Sequence, residues 1–282
     1  MEKNKSGGEN PEFFLPAKSI DEIRRSKNFV MESGENFFTN FFAGDKELQK
    51  LMTKNNLKYH LTDKTLFVMQ EFENFSKLGF VTSDEKDFCD NAKLFLPETN
   101  LPVTVEIFSD SRNREESDAF QKNLLELGFK HHATQTRLTK ISEQNFYGEI
   151  DPDFYATKED CEEILQMLID TFDVRCDQIP DIDELREFAE NREILKLRRD
   201  NKIVSAIIFR RKPASVEWIF WLTRPEYRPK FCGLLLRDEY IKLTGNVRRQ
   251  TIHVREKKMK RFHEGFGFKA DGFENRVFLF EK

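Results

Sequence analysis

The stretch Val216 to Leu243, VEWIFWLTRPEYRPKFCGLLLRDEYIKL, passes through three kinds of segment. Val216 to Leu222 is an apolar run rich in β-branched and aromatic residues, which predicts a buried strand. Thr223 to Cys232 is a polar turn carrying Arg228 and Lys230. From Gly233 onward, Leu234, Leu235, Tyr240, Ile241 and Leu243 predict a helix. The first turn of a helix leaves backbone N–H groups without partners and carries partial positive charge. A strand, a basic loop and a helix start in succession therefore predict an anion site suited to phosphate.

Outward from this stretch, capping and periodicity predict the neighbouring elements. Phe154 to Ala156 reads as a short strand. Thr157 with Asp160 caps a helix running to about Phe172, whose apolar positions Ile164, Leu165, Leu168 and Ile169 share one face. Asp181 to Asn191 reads as a shorter helix. Ile194 to Arg198 and Ile203 to Phe209 read as strands joined by the turn Asp200-Asn201-Lys202. Downstream come strand Thr251 to Val254, helix Lys257 to Gly265, and a last strand from Arg276 to Phe280.

The segment PEYRPKFCG, Pro225 to Gly233, resembles the acyl-CoA pyrophosphate loop of the GNAT N-acetyltransferase superfamily, with Pro229 and Phe231 where glycines are usual. Phe262-His263-Glu264-Gly265-Phe266-Gly267-Phe268 is similar to that family's last helix running into a strand. The two segments lie in the family's order, one strand apart, and the predicted elements from about residue 150 follow its order as well.

The resemblance implies an α/β fold with a mixed sheet and an acyl-CoA-dependent N-acyltransferase that moves acetyl from acetyl-CoA to a primary amine. It implies cofactor contacts at Leu222, Thr223, Arg228, Lys230, Phe231, Cys232, Gly233 and Leu234. Glu217 lies eleven residues before Arg228, the distance at which lysine acetyltransferases of this superfamily carry a glutamate base; the alternative is a solvent-facing charge. His263 stands where a tyrosine often protonates the leaving thiolate, the alternative being a histidine with no role. Pro229 removes one backbone donor, and a phenylalanine at 231 argues against positive φ in the loop. These departures keep a second reading in view: a GNAT-fold binding or scaffold protein with reduced catalysis. A carrier-protein thioester as donor is a third.

The first half echoes part of the pattern. Val103 to Lys130 parallels Gln250 to Lys269, each reading strand, charged loop, amphipathic helix and Gly-Phe-Lys, about half a chain length apart. The expected organisation is a disordered tail over 1–15, a diverged GNAT-like domain over 16–145 and the GNAT domain over 146–282. Nothing in the first half matches PEYRPKFCG, so its expected role is structural or substrate-shaping. Within it, helices are expected at Ser19 to Ser33 with Ser19 and Glu22 at capping-box spacing, through the aromatic pairs Phe37-Phe38 and Phe41-Phe42, and at Lys46 to Lys54, Ser83 to Phe95 and Asn113 to Leu127. Strands are expected at Leu57 to His60, Lys64 to Phe72, Val103 to Phe108 and His131 to Leu138.

Composition bounds the remainder. A chain of 282 residues has room for two domains, and 29 Phe supply core material. A net charge of −4 gives no global case for nucleic acid or an anionic membrane. Arg248-Arg249 and Arg255 to Arg261 form a local basic cluster, most simply a solvated helix face. Four cysteines without CxxC pairing predict free thiols, and neither they nor His131-His132 have metal-ligand spacing. With no span-length apolar run and no signal-like N-terminus, a cytoplasmic or nuclear location is expected, without membrane or nucleic-acid partners. Acceptor identity and oligomeric state are not legible. The acceptor is an amine on a small molecule or a protein.

Overall fold

Residues 13–54, 56–141, 148–244 and 247–282 are described in the computed structural model, which divides the chain into two units, Met1–Ala133 with Arg276–Lys282, and Thr134–Asn275. The first unit runs β1 (Leu15–Pro16), α1 (Ile20–Glu32), β2 (Phe38–Thr39), α2 (Asp45–Thr53), β3 (Leu57–Leu61), β4 (Thr65–Glu71), β5 (Ser76–Thr82), α3 (Glu85–Phe95), β6 (Val103–Ser109), α4 (Arg114–Glu126) and the start of β7 (Lys130–Ile141). Its strand order is β1-β3-β4-β5-β6, with β2 also on β5. The β5–β6 pair is parallel and the β3–β4 and β4–β5 pairs are antiparallel.

Strand alternation explains how this sheet is covered on both faces. Phe67 and Met69 of β4, with Leu78 and Phe80 of β5, pack against Phe88 and Ala92 of α3 and Phe120 of α4. The intervening Leu66, Val68 and Val81 pack against Ile23 and Val30 of α1 and Leu48 of α2.

The second unit continues β7 and adds α5 (Cys161–Thr171), α6 (Ile182–Glu190), β8 (Ile194–Arg199), β9 (Lys202–Lys212), β10 (Ser215–Thr223), α7 (Cys232–Thr244), β11 (Arg249–Val254), α8 (Lys257–Glu264) and β12 (Lys269–Phe280). Its order is β12-β7-β11-β10-β9-β8. β10 runs parallel to β11, whereas β7–β11, β9–β10 and β8–β9 are antiparallel. One face packs Val216, Trp218, Ile252 and Val254 against Leu236 and Tyr240 of α7. The other packs Ile203, Ile208, Phe220 and Leu222 against Ile164 and Leu168 of α5 and Leu185 and Phe188 of α6. Among the described residues no helix is long and apolar enough to cross a membrane.

The caps follow the sequence closely. Thr157 and Asp160 form a reciprocal capping box ahead of α5, as do Asp181 and Glu184 for α6. Asp200 and Asn201 take positive φ in the β8–β9 turn. Ser19 caps α1, but Glu22 accepts from the Lys18 amide at 2.8 Å, so a reciprocal box is not seen there.

Three further expectations are corrected, and one strand lies where none is expected. The aromatic pairs from Phe37 to Phe42 do not make a helix; Phe38–Thr39 is strand β2, and Phe42 is 64% exposed. Tyr155 makes a single bridge to Leu195 after a 3-10 turn at Pro152–Phe154, in place of a strand. Strand β5 lies where no element is expected, and it carries Gly79 in the middle of its apolar run. A Cβ there would lie 2.8 Å from the Phe41 ring, so the glycine makes room for a side chain from another segment. β12 starts at Lys269, ahead of the expected Arg276. Of the expected tail, residues 1–12 lie outside the described residues, as does Phe146; Phe13 stacks on His60 with ring centroids 3.9 Å apart.

Candidate functional site

The second unit's sheet opens at one point. β10 and β11 pair from Ser215↔Arg249 to Trp218↔Ile252, and no later pair between them is seen among the described residues, although β10 runs on to Thr223. The β9–β10 register shifts between Trp218 and Phe220 at the same place. This bulge changes which residues face which core. Val216 and Trp218 face the α7 side before it, Phe220 and Leu222 face the α5 side after it, and Trp221 turns toward α7. A bulge beside a broken ladder leaves strand backbone without a strand partner, in a position to meet something else.

The chain leaves β10 through a 3-10 turn, Pro225–Lys230, that is tied down on several sides. Arg224 Nε donates to the Ile203 carbonyl at 2.7 Å, and its guanidinium meets Glu163 at 3.1 Å. Arg228 Nε donates to the Thr223 carbonyl at 3.1 Å, and the Tyr227 hydroxyl donates to Asp200 at 3.0 Å. The Lys230 ammonium lies 4.6 Å from the centre of the Tyr227 ring. Both Arg228 and Lys230 remain exposed.

Phe231 then adopts φ +57° and ψ +21°, the left-handed conformation that the sequence argued against at a phenylalanine. The loop thus keeps the backbone path a glycine would give, at a cost of about 1–2 kcal/mol. Its ring is 66% exposed and repays little of that cost by burial. Phe231→Gly is accordingly expected to raise stability by about 1 kcal/mol, net of the added unfolded-state entropy. A urea midpoint that falls would instead mean that the phenyl ring stabilises the loop by more than its backbone costs.

Gly233 answers to a close approach. A Cβ at this position would fall 2.6 Å from Thr223 Oγ1 and 3.4 Å from Trp221 Nε1, so α7 starts directly against the end of β10. Thr223 is itself fixed, its hydroxyl 2.9 Å from that of Ser205. The amides of Cys232, Gly233 and Leu234 occupy the first turn of α7, where the helix supplies no acceptor. No acidic residue lies in that turn.

The corresponding place in the first unit is closed by the chain itself. There the parallel ladder between β5 and β6 ends at Leu78↔Val105, and Asn40 fills the position beyond it. Asn40 donates to the carbonyls of Leu78 and Glu106 and accepts from the Phe80 amide at 2.7 Å. The next helix, α3, is capped by the Asp84 carboxylate, which accepts from the amides of Lys86 and Asp87, with Glu85 and Asp87 in the first turn. An anion there would meet negative charge and occupied donors.

The two acid–base candidates lie in different surroundings. Glu217 is part-exposed on β10 and ion-paired with Lys212 at 3.2 Å. His263 is 2% exposed, edge-on to Trp218, Trp221, Phe262 and Phe268 at centroid distances of 5.5–6.0 Å. Burial, with a smaller contribution from the Arg237 charge, pushes its pKa down to about 4. The ring is therefore neutral near pH 7 and has no imidazolium proton to give. Val216 and Trp218 flank Glu217 but face the opposite core, so the sheet does not bring Glu217 and His263 onto one face. Of the aromatic residues near the loop, Trp218 and Phe220 are core and Trp221 is half-buried.

No protein-family model matches this chain, and no curated protein matches it. Solved structures do. A tandem GNAT protein from the clavulanic acid biosynthesis pathway aligns with a TM-score of 0.57 at 11% identity, covering 95% of this chain and 97% of its own. A GCN5-related N-acetyltransferase from Sphaerobacter thermophilus aligns with a TM-score of 0.55 at 11% identity, covering 96% of both chains. One from Kribbella flavida aligns with a TM-score of 0.51 at 12% identity, covering 82% of this chain and 91% of its own. At these identities the likeness establishes the fold, a tandem GNAT architecture over nearly the whole chain.

Proposed function

We propose that the second unit is an acyl-CoA-dependent N-acyltransferase that moves an acetyl group from acetyl-CoA to a primary amine. The observation that carries this reading is the contrast between the two parallel-strand openings. In the first unit, Asn40 and Asp84 occupy the opening and the helix start. In the second, no side chain among the described residues is seen to bridge the separating strands as Asn40 does, Arg228 reaching only the Thr223 carbonyl at the strand end, and no acidic residue lies in the first turn of α7.

The residues present fit a pyrophosphate. The first-turn amides of Cys232, Gly233 and Leu234 would hold its oxygens, and Arg228 and Lys230 would neutralise its charge. The left-handed Phe231 sets the direction in which α7 begins, and the strand end at Leu222 and Thr223 borders the opening. CoA would supply the acyl group as a thioester. The chain would contribute alignment of the two reactants and a group to take the proton of the acceptor ammonium. The polar sheet face that carries Glu217 is where such a group belongs.

A second reading, a GNAT-fold binding protein with reduced catalysis, is favoured by one observation: the residue in the thiolate acid's position, His263, is neutral and enclosed. Thermal unfolding with acetyl-CoA, longer acyl-CoAs and free CoA separates ligand binding from its absence. The melting temperature is expected to rise with acetyl-CoA by an amount that grows with concentration. No shift at millimolar ligand would remove the acyltransferase reading. A shift without turnover on any amine would support the second one.

A further inference from the structure

The face of the second unit's sheet turned away from α7 and α8 carries side chains that the cofactor loop does not use. Strand register places them in rows. Thr251 of β11 lies between Glu217 of β10 and Thr139 of β7, and His253 of β11 lies opposite Arg137 of β7. Asp271 and Phe273 of β12 complete the face. Asp271 binds Arg137 Nε at 2.7 Å and the Thr139 hydroxyl at 2.9 Å, and the Arg137 guanidinium lies 4.4 Å from the Phe273 ring centre.

Two residues past His253, the segment between α5 and α6 is fastened across the end of the face. Arg255 reaches Asp177 at 3.2 Å and the buried Cys176 sulfur at 2.9 Å. Gln135 Nε2 donates to the Cys176 carbonyl and to Asp177, each at 3.0 Å.

The charged groups of this face are already engaged, Arg137 with Asp271 and Glu217 with Lys212. His253 differs. Its ring is half-buried, stands edge-on to Phe273 at 6.0 Å, and has no hydrogen-bond partner among the described residues. It follows directly on Ile252, the last residue of β11 to pair with β10. A part-exposed imidazole with unused nitrogens therefore sits where the two parallel strands separate, on the face shared with Glu217.

We propose that His253 takes the proton from the acceptor ammonium, with Glu217 behind it as the charge that favours the imidazolium. This assignment rests on the N-acyltransferase reading of the same unit. The neutral ring accepts one proton from R–NH3+, leaving R–NH2. The amine nitrogen forms a C–N bond to the thioester carbonyl carbon and the C–S bond breaks. The second nitrogen proton ends on the thiolate, giving CoA-SH, and the imidazolium later returns its proton to solvent.

Electrostatics suit the role. Burial lowers the ring's pKa, Glu217 raises it, Arg137 lowers it and Asp271 raises it, with a net shift downward. The ring is thus neutral and able to accept a proton near pH 7. Because Glu217 raises the value, removing its charge should move the acidic limb of the rate profile to lower pH.

The test measures thiol release from acetyl-CoA across pH, with the full chain and excess ethylamine as a generic acceptor. His253→Gln is expected to lower amine-dependent release about 100-fold while keeping the thermal stabilisation by acetyl-CoA. Added imidazole should restore part of the rate in His253→Ala. Glu217→Gln should shift the acidic limb downward, which a merely structural role would not do. Wild-type rate and limb in His253→Gln would overturn the assignment. So would a wild-type protein that binds acetyl-CoA but releases no thiol in response to amine. Absence of acetyl-CoA binding would overturn the acyltransferase reading and this assignment with it.

Discussion

Acidification from pH 7 to pH 4 is expected to remove about 3 kcal/mol from the stability of the unit that contains His263. The ring is enclosed by Trp218, Trp221, Phe262 and Phe268, and its Nδ1 has no hydrogen-bond partner among the described residues. A charged imidazolium would lose water without gaining a counter-charge, and Arg237 adds repulsion, so the folded pKa lies at about 4. The sign follows from which state binds the proton first. As pH falls through the ordinary histidine value of 6.5, the unfolded chain becomes protonated and the folded one does not. Stability therefore declines between about 6.5 and 4 and levels off below the folded value.

Replacing His263 by Phe tests this directly. The aromatic surroundings accept a phenyl ring, and the substitution removes both the titration and an unpartnered buried polar atom. At pH 7 a gain of about 1–2 kcal/mol is expected, and the variant should show a flatter dependence of urea midpoint on pH. Equal slopes in the two proteins would show that His263 is not the titrating group. The same variant bears on chemistry: unchanged turnover would remove His263 from any proton-transfer role.

Asp160→Ala is expected to cost about 3–4 kcal/mol. Its side chain is buried and accepts from the Thr157 amide at 2.8 Å, closing the cap ahead of α5. It also pairs with Lys196 and, at 2.7 Å, with Arg198 on β8. Removal would leave a cap without its acceptor and Lys196 without its counter-charge, while Arg198 would keep Glu163 at 3.5 Å. Asp160→Asn, which keeps an oxygen acceptor for the cap, should cost less. Near-equal melting temperatures for wild type and the alanine variant would refute the account.

Burial alone would raise the Asp160 pKa, but hydrogen bonds from Lys196, the Thr157 amide and Arg198 outweigh it and hold the group at about 2. Its folded value is depressed, so its stabilisation is present above the ordinary carboxyl value of 3.8 and is lost as pH falls toward 2. The two groups therefore act in separate windows, His263 above pH 4 and Asp160 below it.

Asp160 also marks how far the sequence reaches. The spacing from Thr157 to Asp160 announces the cap because both partners lie within one turn of chain. Its ion pairs with Lys196 and Arg198 are invisible at that range, since they depend on β8 returning beside α5. The candidate loop divides in the same way. Arg228, Lys230 and Gly233 are legible as an anion-binding pattern, and Gly233 does sit at a contact where no side chain fits. The positive φ of Phe231 is not legible, because single-residue preference opposes it and only the placement of α7 against Thr223 requires it.

Local chemistry by itself determined where α5 and α6 begin, that β8 to β11 become strands, and that a basic loop leads into α7. Each of these depends on residues a few positions apart, whose geometry is set by chain connectivity. Tertiary structure alone decided that Phe38–Thr39 pairs with β5, that Asn40 fills the first unit's opening, and that Gly79 belongs to a strand because Phe41 needs its space. It also decided that His263 is enclosed among aromatic rings while His253 stays half-buried beside polar side chains. Both are histidines flanked by unremarkable neighbours in the sequence. Their difference comes from ladder register and from which face a core covers, and these arise only when distant strands meet.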